Sequence, residues 1–212
     1  MALFRARDPV SGYSHLAGLA LACAGAVALL WRVRAREAFV PNLMYAISLV
    51  ALYAASSAYH LVPGAEAVTR RLRKLDHSAI FVFIAGTSTP VFFRAFDGSM
   101  RIAMLGAAWG LAILGVVLRL VWMQAPRALY TLMYVATGLL VAVEARAMLH
   151  NLPVLPLSLV VGGGVVYILG AVVYATKRPD PIPRVFGFHE IWHLFVLAGS
   201  SLHYAAIFTL VP

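Results

Sequence analysis

Apolar runs of about 18 residues or more, each long enough to cross a hydrocarbon core of about 30 Å, recur along the whole chain with short polar breaks between them. A chain of 212 residues that is 62% hydrophobic and 12% charged exceeds the roughly half-apolar composition of a soluble domain, so a bilayer is the expected solvent. The runs are continuous rather than alternating, and a backbone in lipid must satisfy its own hydrogen bonds. Helices are therefore predicted, not barrel strands. The expected fold is an all-α bundle of seven transmembrane spans, at about residues 15–31, 41–62, 78–96, 102–123, 128–145, 156–176 and 187–211. Loops this short leave no room for a second domain. The lone cysteine, Cys23, excludes an internal disulfide and reads as a small packed residue of the first span. That span lacks a small-residue cleavage site and is followed by a basic segment, which predicts a retained span rather than a signal peptide. Gly106 and Gly110 form a GxxxG step, and Gly162, Gly163, Gly164 and Gly170 stud the sixth span; close helix packing is their expected role.

The basic residues set the expected orientation. Arg5, Arg7, Arg70, Arg71, Arg73, Lys74, Arg119, Arg127, Lys177, Arg178 and Arg184 fall on one side, whereas Arg32, Arg34, Arg36, Arg94, Arg101 and Arg146 fall on the other. The side with the excess should be cytoplasmic, which puts the amino terminus inside and the carboxyl terminus outside. The net charge of +9 then reads as membrane topology, with TRRLRK placed to touch anionic lipid head groups. Basic residues scattered over both faces argue against nucleic acid as a partner.

Ionisable groups inside spans are costly and need an explanation. The second span ends in SSAYH, with Ser56 and His60 four residues apart on one helical face. The third opens at LDHS, with Asp76 and His77. The seventh opens at HEIWH, with His189 and His193 again four apart, and later carries Ser200 and His203. The predicted topology brings the end of the second span and the starts of the third and seventh to the same leaflet. Taken singly, each motif has a plain structural reading: histidines that hydrogen-bond across the bundle, Ser56 as a packing residue, Asp76 as a helix cap. Their coincidence at one depth points to a metal instead. Three neutral imidazoles with a carboxylate nearby suit zinc, and His60, His189 and His193 are the candidate ligands. His203 follows His189 by nearly four turns, about 21 Å deeper, so it belongs to an internal cavity rather than to the same metal. His15, His77 and His150 lie near span ends, where an interfacial role is expected, as it is for Glu144 with Arg146.

HEIWH also satisfies the HExxH pattern of metalloproteases, in which the glutamate activates water. On an ideal helix, however, Glu190 points about 80° away from the mean direction of the two histidines.

SSAYH, LDHSAIFVFIAGTSTP and FGFHEIWHLFVLAGSSLHY, in that order and from about His15 to the carboxyl end, resemble the hemolysin III family, the bacterial branch of the progestin and adipoQ receptor superfamily. The resemblance implies that His60, His189 and His193 hold zinc, that Asp76 holds a water at the metal, and that Ser56 lies beside it. The same arrangement is similar to that of alkaline ceramidases, which hydrolyse lipid amides. It also implies a bacterial plasma-membrane protein with a role in membrane-lipid homeostasis. One departure is plain: the acidic residue followed by Asn that often precedes the first span's Ser-His is replaced here by SGYSH.

The first-ranked expectation is thus a zinc-dependent membrane hydrolase of lipid amides or esters, with Asp76 and Ser56 as catalytic residues and lipids reaching the site from the bilayer. The competing class is a non-enzymatic sensor or receptor in which zinc ties helices together. A pore-former lacks support because no span carries a continuous charged face. A metal transporter would want a second acidic site, for which only Glu144 offers itself. A reporter fused after Pro212 is expected to be active only outside the cytoplasm, and one inserted near Arg71 only inside; the reverse pattern would place the histidines at the outer face.

Overall fold

The computed structural model describes residues 6–183 and 185–211; Arg5, Arg184 and Pro212, which enter the topology argument, lie outside them. Among the described residues the chain forms nine α-helices: α1 Pro9–Arg32, α2 Arg36–Leu61, α3 Glu66–Ala95, α4 Gly98–Val121, α5 Arg127–Gly138, α6 Leu140–Val143, α7 Ala145–Asn151, α8 Val154–Thr176 and α9 Phe188–Leu210. The only β pairing among them is an isolated bridge between Ile182 and Phe186 in the loop before α9. Six of the helices, α1 to α4, α8 and α9, are long and apolar enough to cross a membrane. The protein is a multi-pass membrane protein of helical class.

Two helices begin well before the apolar windows that predict them. Pro9 opens α1, where its missing N–H is no loss, so Ser11 and His15 are inside the helix. Helix α3 starts at Glu66 and carries TRRLRK as a polar extension of the same helix. Asp76 therefore lies more than two turns inside α3 and is not its cap. Hydropathy marks where a helix enters lipid, not where it begins.

The expected fifth span, 128–145, is the element that departs most. It is a broken run of α5, α6 and α7, interrupted at Leu139 and at Glu144, whose backbone leaves the helical region at φ −113°, ψ 44°. Gly138 ends α5, as befits a residue that loses more freedom in a helix than any other non-proline residue. The run nonetheless follows α3: the Tyr134 hydroxyl donates to the His77 carbonyl at 3.2 Å, and Asn151 Nδ2 donates to the Ala95 carbonyl at 2.7 Å.

Helix α3 is central, touching α2, α4, α5, α7 and α9, while α1 closes the bundle against α2 and α9. Its buried face, with Phe81, Phe83, Val91 and Phe92, supplies much of the core. Large apolar side chains such as Leu21, Val27, Ile102, Ile113 and Val154 point outward, as lipid-facing residues should.

Glycine spacing misleads in one place. At Gly163 a Cβ would run into the His203 ring, and at Gly170 it would stand 2.6 Å from Phe195 Cβ, so these two permit the close approach of α8 to α9. Gly106, Gly110 and Gly164 meet nothing within 4 Å among the described residues, Gly106 and Gly110 facing outward and Gly164 lining the internal cavity, contrary to the packing role expected of them. Cys23 likewise is exposed on the outer side of α1 rather than packed.

Candidate metal centre and adjoining cavity

The last turn of α2 and the first turns of α9 meet at one end of the bundle. His60, 1% exposed, faces His189 and His193, and each of the three offers a nitrogen such that all lie within 4.8 Å of one another. Their ring centroids are 4.8 to 5.2 Å apart. The spacing of four residues on α9 puts both imidazoles on one face, one turn apart.

Two nitrogens of this cluster carry the chemical message. His60 Nδ1 is hydrogen-bonded to Asp8 Oδ2 at 2.9 Å, while its Nε2 and His193 Nδ1 are both buried with no partner among the described residues. A buried polar atom left without a hydrogen bond costs on the order of 1–3 kcal/mol, so two of them side by side describe a receptor. Imidazole nitrogens converging on one point can bind a divalent metal ion, and the Asp8–His60 pair has the form of a carboxylate that orients a metal-binding histidine.

Asp8 immediately precedes α1, with its side chain 38% exposed. Its carboxyl is held down at about 2, chiefly by the hydrogen bond from His60 and further by Arg7, against a partial burial that acts the other way. Helix α1 then adds two more supports. Ser11 Oγ donates to Glu190 Oε1 at 3.1 Å, and His15 Nδ1 meets Ser56 Oγ at 2.8 Å while its Nε2 lies 3.3 Å from the His193 carbonyl oxygen. His15 is thus 3% exposed, with its ring centroid 4.0 Å from that of His193 and tilted 37° to it, not interfacial as its place near a span end suggests. Asp8, Ser11 and His15 recur at intervals of three and four residues, so a helix begun at Pro9 would have shown all three on one face.

Glu190 is already engaged. Its Oε2 accepts the Gly187 N–H at 2.8 Å, closing the first turn of α9, and its Oε1 accepts from Ser11. The HExxH glutamate here caps a helix.

Ser56 and Asp76 do not enter the three-histidine cluster itself; they line the cavity that His15, His189 and His193 also line. This cavity has a volume of about 550 Å³ and runs inward past Leu52, Phe83 and Val196 to His203 and Ile207. Its inner wall is largely apolar, as the walls of small-molecule pockets usually are. His203 hydrogen-bonds the Val160 carbonyl through Nε2 at 3.0 Å. His77 is also drawn inward: its Nδ1 accepts from Arg119, and its Nε2 lies 3.8 Å from Asp76 Oδ2. His150 does stay exposed, beside Asn151.

A model of the family described as Haemolysin-III related matches residues 5–204. The chain belongs to the haemolysin III family. It is similar to Hemolysin-3 of Bacillus cereus, 32% identical over 177 residues that cover 83% of this chain and 78% of that protein. The Hemolysin-3 homolog of Bacillus subtilis (strain 168) is 32% identical over 158 residues, covering 74% and 71% respectively. The Oryza sativa subsp. japonica protein named Heptahelical transmembrane protein ADIPOR2 is 29% identical over 187 residues, covering 79% of this chain and 80% of its own. This haemolysin III protein is therefore related to the adiponectin-receptor-like proteins as well.

If Asp8 orients His60 for a metal, Asp8→Ala should weaken divalent-metal affinity by about 10–100-fold with the fold retained. A competition titration against a chromophoric chelator reads this; unchanged affinity would remove Asp8 from the site.

Proposed function

We propose that this protein is a zinc-dependent hydrolase of lipid amides or esters, working in bacterial plasma-membrane lipid homeostasis. The observation that carries the reading is the pair of unpartnered imidazole nitrogens, His60 Nε2 and His193 Nδ1, beside His189 at the mouth of an apolar cavity. Three neutral nitrogen donors fit zinc, whose tetrahedral preference leaves one position for water or substrate. Bound there, zinc supplies Lewis acidity that polarises a carbonyl and brings the pKa of water to about 7.

The chain's own residues do the rest. His60, held by Asp8, and the α9 pair fix the binding geometry. Asp76, 8% exposed on the cavity wall, accepts the proton of the attacking water at a carboxylate oxygen and returns it to the departing amine or alcohol. Ser56, held by His15, points a hydroxyl into the same space and orients the carbonyl. The inner wall takes the acyl chain and excludes water from it.

Seven crossings fit this account. The broken run of α5 to α7 extends along α3 from His77 to Ala95, roughly 27 Å at about 1.5 Å per residue, and so can serve as the remaining span. The excess of basic residues then puts the histidines at the cytoplasmic leaflet, with the amino terminus inside and the carboxyl terminus outside.

Asp76→Asn and Glu190→Gln separate the candidate mechanisms. Asp76→Asn should keep the metal and reduce lipid hydrolysis by about 10²-fold or more, while Glu190→Gln should act mainly on stability. A larger loss of turnover in Glu190→Gln would favour metalloprotease-like chemistry. No turnover of any lipid amide or ester, with a shared loss of thermal stability on chelation, would favour a sensor with a structural zinc.

A further inference from the structure

Arg119, in the last turn of α4, is 6% exposed. A guanidinium stays charged, and burying one without a counter-charge is costly. Its partners are all uncharged or aromatic in character: Nη1 donates to the Met123 carbonyl at 3.1 Å, Nη2 meets His77 Nδ1, and Cζ lies 3.8 Å over the Tyr130 ring. Among the described residues Nε is buried with no partner and no carboxylate lies within 4 Å of the guanidinium.

Arg119 does not stand alone. Arg73 and Arg127 line the same cavity, and neither has a carboxylate within 4 Å among the described residues. Arg127 spends one N–H on the Tyr174 carbonyl at 3.3 Å and lies over aromatic rings. Among the described residues Asp76 is the one carboxylate on the cavity wall. Three guanidiniums against one carboxylate make this end of the cavity strongly anion-seeking, and guanidinium is the group whose fork matches phosphate.

We propose that Arg119, with Arg73 and Arg127, seats the phosphate of an anionic lipid head group while the acyl chain occupies the apolar depth of the cavity. As a statement about substrate class it rests on the hydrolase reading; as a statement about binding it does not. Arg119 supplies the buried anchor, and the other two neutralise the outer oxygens.

Oleoyl lysophosphatidate and monooleoylglycerol differ by the phosphate alone, and their binding to the purified full-length protein in nonionic detergent, by native mass spectrometry, reads the seat. The parent should prefer the lysophosphatidate by about tenfold or more. Arg119→Met should abolish the preference and Arg119→Lys retain part of it, because the charge remains while the fork is lost. Should Arg119→Met not fold, the Arg73→Met/Arg127→Met variant, altered at the outer end of the seat, should still reduce the preference. Displacement of the lipid by inorganic phosphate alone would support the seat with a soluble anion as its source; failure of phosphate to displace it would support a lipid source. Equal binding of the two lipids by the parent overturns the proposal. So does a preference that survives in Arg119→Met but vanishes on chelation, which would assign the anion to the metal. Absence of turnover in the Asp76 experiment bears on the hydrolase reading and leaves this one standing.

Discussion

Lipid offers no hydrogen bonds, so every polar side chain that the bundle carries inward must find its partner within the bundle. At the end where α2 and α9 meet, this requirement is met on all sides but one. Asp8 takes the outer nitrogen of His60, His15 is held between Ser56 and the His193 carbonyl, and Glu190 is spent on its own helix start and on Ser11. Among the described residues His60 Nε2 and His193 Nδ1 stay buried without a partner, as does Ser57 Oγ about one turn earlier on α2. The supporting bonds hold rings that each offer a nitrogen within 4.8 Å of the others, and that closeness is what makes three costly side chains a candidate metal receptor.

The same constraint organises the cavity. Its charged side chains, Arg73, Asp76, Arg119 and Arg127, belong to the same helix ends as the histidines, while Leu52, Phe83, Val196 and Ile207 line the depth, with Thr87 and His203 as polar groups among them. Such a division is what the proposed lipid substrate, an amphiphile, requires.

The long spans and the metal-site candidates were legible because each rests on a local rule. Apolar length marks helices, and spacings of four residues put Ser56 with His60, and His189 with His193, on single faces. The broken fifth segment was not legible, since its interruptions at Leu139 and Glu144 sit inside a run that is apolar overall. His15, Asp8 and Arg119 were misread or passed over for a different reason. Their partners Ser56, His60 and His77 lie on other helices, 41, 52 and 42 residues away in the chain, and no periodicity within one helix reports which neighbour it will meet. The outward-facing Gly106 and Gly110 show the converse: a local motif whose packing role depends on which side of α4 the bundle happens to cover.

Metal content by inductively coupled plasma mass spectrometry on detergent-purified protein addresses the centre of this account. The parent should hold about one zinc per chain, and His60→Ala and His193→Ala should each lose most of it, because one missing donor leaves an incomplete tetrahedron. Full zinc occupancy in both variants, or a parent that binds no metal when zinc is supplied, would contradict it.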